Sequence, residues 1–233
     1  MNNLEFFLNL SQSKINAILI DKENKNKIFN KDFDFHNDFN DTKKITDNLN
    51  KILKSLIIEL EKKISNPINK INLMIDNPET LSIYTSVKKN FENKKIFKNQ
   101  IEYLIQDLKQ QILMNNSDIK IGHIIVEYYF VDGEIYNKLP IGEACKDLVI
   151  QTRFICFSKN FTDSLENLFS NYQIDINKII CTNYAKSLLD ADLNSLSEAG
   201  LKVIGGANIN EVLVNPKKLT KVGFFERLFH IFS

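Results

Sequence analysis

The chain is poor in the residues that proteins use to read nucleic acids. Its 233 residues include no tryptophan and only two arginines, Arg153 and Arg227. Arginine is the commonest side chain that pairs with base edges, so this scarcity argues against base recognition. The formal net charge of +1 adds no field that would draw a polyanion to the surface. We therefore expect no nucleic-acid partner.

Cysteine and long apolar runs are also scarce. The three cysteines, Cys145, Cys156 and Cys181, are odd in number, widely spaced and not arranged as Cys-x-x-Cys. This pattern predicts reduced thiols in a cytosolic compartment, and we expect Cys156 and Cys181 to be buried and inert. No stretch approaches the roughly 18 apolar residues of a membrane-spanning helix. The first residues lack the basic segment and apolar core of a secretory signal.

What the sequence does contain is a strand-rich stretch between long amphipathic helices. Within residues 121–158, the dipeptide Asp132-Gly133 separates two apolar runs, which is a strong hairpin signal. Apolar residues three and four apart predict helices over 42–64 and 97–114. The other predicted helices are 162–172 and 184–189, and the predicted strands are 4–10, 14–21, 27–33, 71–75, 81–90, 122–131, 134–136, 147–158 and 174–181. A closing hairpin is expected from residues 201–205 and 210–214.

Two stretches carry motifs in a characteristic order. His123-x-Ile, Asp132-Gly133 and Pro140-x-Gly142, followed by a long strand, resemble in order and spacing the inserted subdomain of FtsA, the actin-like bacterial cell-division protein. Near the start, the run Phe-Leu-Asn-Leu-Ser-Gln-Ser-Lys-Ile at residues 7–15 resembles the family's first nucleotide-binding turn, Gly-Leu-Asp-Ile-Gly-Thr-Ser-Lys-Val. The resemblance covers residues 4–214.

This resemblance implies a fold and a division into domains. The fold class is α/β (α+β), a partial actin-like (ribonuclease H-like) lobe with an inserted small α+β subdomain and a C-terminal amphipathic helix. The second lobe of the family would be missing. The predicted domains are the outer actin-like subdomain at 1–69 and 159–214, the inserted subdomain at 70–158, a linker at 215–222 and a membrane-targeting helix at 223–233.

The departures from the family pattern predict that no nucleotide is bound. An actin-like ATPase needs a glycine turn whose N–H groups reach phosphate and an aspartate that holds hydrated magnesium. Here Asn9 stands at the aspartate position and Ser11 at the glycine position, followed by Gln12. The nearest match to the second phosphate turn, Gly205-Gly206, lacks its aspartate, and a plain hairpin turn is the favoured interpretation there. We expect no cofactor, no metal, no catalytic residue and no enzymatic activity.

The end of the sequence has the pattern of an interfacial membrane helix. Residues 223–233, GFFERLFHIFS, separate into an apolar and a polar arc at 100° per residue. Three lysines precede it and would add attraction to anionic lipid. The alternative is a helix that docks on the protein's own core. The predicted membrane-binding residues are Phe224, Phe225, Leu228, Phe229, Ile231, Phe232, Lys217, Lys218 and Lys221.

These features lead to a non-enzymatic FtsA-like division adaptor as the first hypothesis. It would lie on the cytoplasmic face of the inner membrane at the division site, dock other division proteins through its inserted subdomain, and possess a capacity for self-association. The family's direct contact with FtsZ lies in the missing lobe, which argues against FtsZ as a partner. The alternatives are an actin-like ATP-binding protein completed by a second chain, or a pilus- or secretion-type adaptor of the same fold.

His36, His123 and His230 are predicted to be isolated structural or surface residues, because no partner carboxylate is visible in the sequence.

Overall fold

A mixed five-stranded sheet forms the first of two sheets in the protein. The structure, a computed structural model, describes residues 3–36, 38–78, 80–190 and 195–212. The strands of this sheet are β1 (Leu4–Ser11), β2 (Lys14–Asp21), β3 (Lys27–Asp34), β4 (Lys70–Asp76) and β9 (Asp175–Cys181). Their order is β3-β2-β1-β4-β9. Strand β2 is antiparallel to both of its neighbours, whereas β1, β4 and β9 are parallel.

The second sheet is four-stranded and entirely antiparallel. Its strands are β5 (Leu81–Lys95), β6 (Ile119–Val131), β7 (Glu134–Tyr136) and β8 (Ala144–Ser158), in the order β5-β8-β6-β7. Asp132-Gly133 joins β6 to β7 with positive φ at both residues, as the hairpin signal predicted. The inserted subdomain was predicted to begin at residue 70, but the second sheet begins at Leu81. The strand between them, β4, pairs with β1 and β9 in the first sheet.

Five helices cover the two sheets in the described part of the chain. They are α1 (Thr42–Ile64), α2 (Lys98–Asn115), α3 (Lys159–Ser170), α4 (Thr182–Ser187) and α5 (Leu196–Ile204). The Asp41 side chain caps α1 by accepting a hydrogen bond from the Lys44 N–H at 3.0 Å. Ser65, in the left-handed conformation with φ of 55°, ends the same helix just before Asn66-Pro67. None of these helices is long and apolar enough to cross a membrane.

Each sheet has its own hydrophobic core. The first core contains β1, which is buried on both faces since the adjacent Phe7 and Leu8 are both inaccessible to solvent. Helix α5 approaches β1 so closely that a Cβ added at Gly200 would lie 2.4 Å from Phe7 Cε1. In the second core, one face of the four-stranded sheet packs against the apolar stripe of α2, which comprises Ile101, Ile105, Leu108 and Ile112.

Strand β8 contributes to both cores and so joins the two units. Phe154 and Cys156 belong to the core beneath α2, whereas Ile155 and Phe157 belong to the core of the five-stranded sheet. The predicted burial of Cys156 and Cys181 is confirmed, and burial raises the pKa of the Cys156 thiol to about 11. Because alternate residues of one strand fill the two cores, the inserted sheet is held firmly on the first sheet.

The predicted closing hairpin at 201–205 and 210–214 is wrong. Residues 201–204 continue α5, whose buried residues Ala199, Gly200 and Val203 recur at helical spacing. Residues 210–212 pair instead with β6, through Val126 N–H to the Asn210 carbonyl and Val212 N–H to the Ile124 carbonyl, each at 2.9 Å. A short apolar run does not by itself distinguish a strand from a buried helix. The last described residue is 212. Residues 213–214 of the predicted hairpin, the predicted linker and the predicted membrane helix therefore lie outside the described residues. The same is true of all nine predicted membrane-binding residues.

Candidate functional site

The turn after β1, which resembles a nucleotide-binding turn in sequence, is a two-residue hairpin closed by the side chain of Ser11. Ser11 Oγ accepts a hydrogen bond from the Lys14 N–H at 3.2 Å and donates one to the Lys14 carbonyl at 3.0 Å, with Gln12 at the tip. The Lys14 ammonium donates to Asp32 Oδ2 at 2.7 Å, and this hydrogen bond raises the pKa of Lys14. The serine at the family's glycine position therefore stabilises the turn from within, and the lysine is engaged by β3.

Asn9, at the family's aspartate position, is sealed inside the protein. Its side chain is 2% exposed, and its Oδ1 accepts a hydrogen bond at 3.0 Å from the hydroxyl of Thr182, which is fully buried at the start of α4. A residue that holds hydrated magnesium must face water and the metal. In the described part of the chain, no three His, Cys, Asp or Glu side chains are grouped to hold a metal ion. The arrangement joins β1 to α4 and leaves no opening for a cation at Asn9.

Gly205-Gly206 forms the end of a helix. The Gly206 N–H donates to the Val203 carbonyl at 3.2 Å and the Ala207 N–H donates to the Lys202 carbonyl at 2.9 Å. With φ of +69° at Gly206, this pair of bonds is a Schellman cap, the usual reason for glycine after a helix. The interpretation of this dipeptide as a hairpin turn is therefore wrong, and its N–H groups are committed to closing α5.

The two turns that resemble nucleotide-binding turns in sequence lie near opposite ends of β1. A cavity at the end of α5 is lined by Gly205 together with Glu5 and Lys22, which flank the beginning of β1. Ser11 is the last residue of that strand. At about 3.3 Å per residue, the six steps from Glu5 to Ser11 span roughly 20 Å. The structure therefore does not bring Asn9, Ser11 and Gln12 together with Gly205-Gly206 into one phosphate site.

A buried polar cluster lies where the two sheets meet, and we call it the junction cluster: His123, Lys178, Tyr184, Asn208 and Glu211. Glu211, with a side chain 4% exposed, is its centre. Its carboxylate accepts hydrogen bonds from His123 Nδ1 at 2.9 Å, Tyr184 Oη at 2.8 Å and Lys178 Nζ at 3.2 Å. Asn208 donates to Tyr184 Oη at 3.1 Å. The cluster thus ties β6, β9, α4 and the segment after α5 to one another.

The hydrogen bonds of His123 define its protonation. Its Nε2 accepts from the Cys181 N–H at 3.0 Å, so Nδ1 carries the proton and donates to Glu211. Burial lowers the pKa of His123, which keeps the ring neutral. Burial alone would raise the pKa of Glu211, but the hydrogen bonds and charges around it lower that pKa overall. The nitrogen that a catalytic histidine would turn to a substrate is already bonded to backbone, so this histidine has a structural role.

The junction cluster was not predicted from the sequence. The prediction of a structural role for His123 agrees with its contacts, but the residue is not isolated, since Glu211 lies 88 positions away and provides the partner carboxylate. No local pattern connects the two residues. Only the pairing of residues 210–212 with β6 brings them together.

The second face of the four-stranded sheet, which we call the open face, is not covered by α2. Paired residues on adjacent strands point to the same side, which places Tyr84 beside Arg153 and Phe130 beside both Val149 and Ile135. Tyr84 is 61% exposed and Ile135 63% exposed. The open face comprises Tyr84, Ser86, Lys88, Tyr128, Phe130, Ile135, Val149, Gln151 and Arg153.

Comparisons with known proteins give structural likenesses alone. No protein-family model and no curated protein matches the sequence. The chain is similar to the cytoplasmic domain of EpsL, an inner membrane component of the type II secretion system of Vibrio cholerae, at 12% identity and a TM-score of 0.36, covering 78% of this chain and 57% of that one. It is also similar to a protein of actin-like ATPase fold and unknown function from Bacteroides thetaiotaomicron, at 14% identity and a TM-score of 0.32, covering 79% and 54%.

A third solved structure is the PilM–PilN type IV pilus biogenesis complex, with 6% identity and a TM-score of 0.44, covering 78% of this chain and 48% of that one. The chain thus spans about half the length of the solved structures that it matches. For the described residues the predicted α/β fold class is confirmed, whereas the predicted C-terminal amphipathic helix lies outside them. The protein is a mixed α/β chain with two sheets, and its first sheet, in the order β3-β2-β1-β4-β9 with only β2 reversed, has the arrangement of a partial actin-like (ribonuclease H-like) lobe.

Proposed function

We propose that the protein is a non-enzymatic adaptor of actin-like fold. In this proposal it acts in cell division as FtsA does, lies on the cytoplasmic face of the inner membrane, and docks other division proteins through its inserted four-stranded sheet. The proposal that the protein is not an enzyme rests on Asn9, which is buried against Thr182. An actin-like ATPase needs an aspartate at this position, in contact with hydrated magnesium.

The rest of the nucleotide machinery supports the same proposal. Ser11 closes the first turn by bonding to Lys14, and Gly205-Gly206 caps a helix near the far end of β1. A nucleotide would need both turns beside one phosphate chain, with N–H groups free to donate. The favoured role is therefore the binding of a protein partner.

We expect no binding of magnesium ATP to the purified protein. Isothermal titration of ATP with magnesium should give only the heat of dilution, because the N–H groups of Gly205 and Gly206 are bonded within the end of α5 and the residue at the metal position, Asn9, is buried and uncharged. The same titration in the presence of candidate partner chains tests the alternative of a site completed by a second protein. Stoichiometric binding in either titration would contradict the proposal.

The open face is the part of the inserted sheet that we propose for docking, and its occupant would be the cytoplasmic segment of another division protein. The open face presents three large exposed side chains, Tyr84, Tyr128 and Ile135, among polar and charged neighbours. Aromatic side chains with charged residues at the rim are typical of protein-binding surfaces. The junction cluster and the shared strand β8 hold this surface in a fixed orientation on the first sheet, as an adaptor requires.

Membrane attachment is proposed to reside in residues 223–233, on the sequence pattern alone. We expect the full chain to float with liposomes that contain anionic lipid and a chain lacking residues 222–233 to stay behind. Phe229→Glu should abolish flotation because it places a charge in the apolar arc. His230→Glu makes a similar change of charge in the polar arc and should retain most of it. Equal flotation of the full and shortened chains would contradict the anchor.

The division role is tested separately with a fluorescent fusion in the native bacterium. A fusion that forms no mid-cell band would contradict that role.

A further inference from the structure

Strand β5 forms an edge of the inserted sheet. It pairs with β8 on one side, and on the other side no described residue forms a backbone hydrogen bond with residues 81–87. An edge of this kind is a template on which another strand can add. It is also well formed, since its register with β8 is unbroken from Leu81 to Asn90.

The edges formed by β7, by β3 and by the later half of β5 carry the protection that monomeric proteins place on free strands. Strand β7 has three residues, too few to direct pairing. Strand β3 has four charges in eight residues: Lys27, Lys31, Asp32 and Asp34. The later half of β5 is protected as well, by four lysines and by an irregularity in which Glu92 and Asn93 adopt positive φ. Charges and bulges of this kind prevent strand addition.

Residues 81–87, which we call the bare edge, lack every one of these devices. Their sequence, Leu-Ser-Ile-Tyr-Thr-Ser-Val, has no charge, no proline and no glycine, and four of the seven side chains favour strands. Leu81 is 46% exposed and Tyr84 61% exposed. A protein that leaves such a segment open while protecting the later half of the same strand has a use for the segment.

The bare edge is complementary to itself. In an antiparallel pair centred on Tyr84, Leu81 lies opposite Val87, Ser82 opposite Ser86 and Ile83 opposite Thr85. The first pair is apolar, the second joins two serines, and the third joins two β-branched side chains of similar size. Lys88 and Lys89 of one copy then lie beyond Leu81 of the other, at opposite ends of the contact, so the lysines of the two copies do not meet. A parallel pairing would bring them side by side, which is unfavourable.

We propose that the bare edge pairs antiparallel with the bare edge of a second copy, about a two-fold axis at Tyr84. The result is a continuous sheet of eight strands, four from each copy. A two-fold contact requires a surface that is complementary to itself, which the palindromic pattern provides and which a different partner strand would not need. Ile83 and Val87, which pack on the core beneath α2, fall on the same face as their counterparts. The inference goes beyond the proposed function and does not depend on it.

Cysteine cross-linking tests the register directly. Paired residues of antiparallel strands have Cα atoms about 4.5–5.5 Å apart, within the range that a disulfide spans. The three native cysteines are buried, so introduced thiols dominate the reaction. Under mild oxidation, Tyr84→Cys should give a covalent dimer. Tyr103→Cys, 70% exposed on α2, should not. Ser82→Cys and Ser86→Cys should cross-link when mixed and remain monomeric alone.

Equal cross-linking of Tyr84→Cys and Tyr103→Cys would overturn the proposal, as would a Ser82→Cys homodimer formed as readily as the mixed one. A contact through seven residues of each copy lies at the small end of specific interfaces, so we expect the dimer to be weak. Association is therefore measured by sedimentation over a series of rising protein concentrations.

A charge exchange at the same position gives a second test without oxidation. Because Tyr84 faces its own counterpart, Tyr84→Lys and Tyr84→Glu should each lower the dimer fraction at least tenfold, through like charges placed opposite each other. Mixing the two variants should restore dimers, now of one Lys chain with one Glu chain. A wild-type chain that sediments as a monomer at every concentration, or a mixture that stays as monomeric as its components, would refute the two-fold pairing.

Discussion

Glu211→Ala is expected to lower the free energy of unfolding by about 3 kcal/mol or more, since removal of one member of a buried charged network leaves the others without partners. Three donors converge on this carboxylate. After the substitution, the His123 Nδ1–H and the Tyr184 hydroxyl would be buried without an acceptor, and Lys178 would lose its counter-ion. The loss should appear in urea unfolding at neutral pH as a lower midpoint with an unchanged slope.

The matched control for this measurement is Glu102→Ala. Glu102 is exposed on α2 and forms only a 3.7 Å ion pair with Lys98, one turn away. Such surface pairs contribute little, so the control should differ from wild type by less than about 0.5 kcal/mol. If the two substitutions have equal effects, the junction cluster does not hold the sheets together.

The same cluster gives the wild-type protein a dependence of stability on pH. The pKa of His123 is lowered by burial in the folded state, whereas the unfolded chain binds a proton near the ordinary value of about 6.5. Below that value the unfolded state holds more protons, so the contribution of His123 to stability is present above about pH 6.5 and is lost as the pH falls.

Asn9→Asp is expected to destabilise the protein by about 3 kcal/mol at neutral pH, because it buries a carboxylate that has the Thr182 hydroxyl as its single described donor. Burial would raise the pKa of this aspartate above its unfolded value of about 3.9. The loss should therefore be small below about pH 4 and should grow as the pH rises through the folded-state pKa. Urea unfolding across this pH range measures it.

The control is Asn99→Asp, an exposed position in the first turn of α2, where a negative charge is tolerated or mildly favourable. It should change stability by less than about 1 kcal/mol. The aspartate should also fail to create a nucleotide site. An Asn9→Asp protein whose melting temperature rises on addition of magnesium ATP would contradict the assignment of this position as a sealed structural contact.

The local elements were largely predictable because their signals are short in range. The predicted bounds of α1 match the observed helix at both ends, since an amphipathic spacing, the Asp41 cap and Asn66-Pro67 act within a few residues of one another. Strand β5 was predicted to end at residue 90, and it continues to Lys95 across an irregular region whose asparagine and charged residues conceal the strand pattern.

By itself the sequence determined the fold class, the hairpin at Asp132-Gly133 and the departures of Asn9 and Ser11 from a nucleotide-binding pattern. Periodicity, turn chemistry and residue type are all encoded locally. The tertiary structure alone decided that Gly205-Gly206 caps a helix, that Glu211 is the partner of His123, and that residues 81–87 form an unprotected edge. These outcomes depend on contacts between segments far apart in the chain, whose pairing is set by packing of the whole molecule and leaves no local pattern in the sequence.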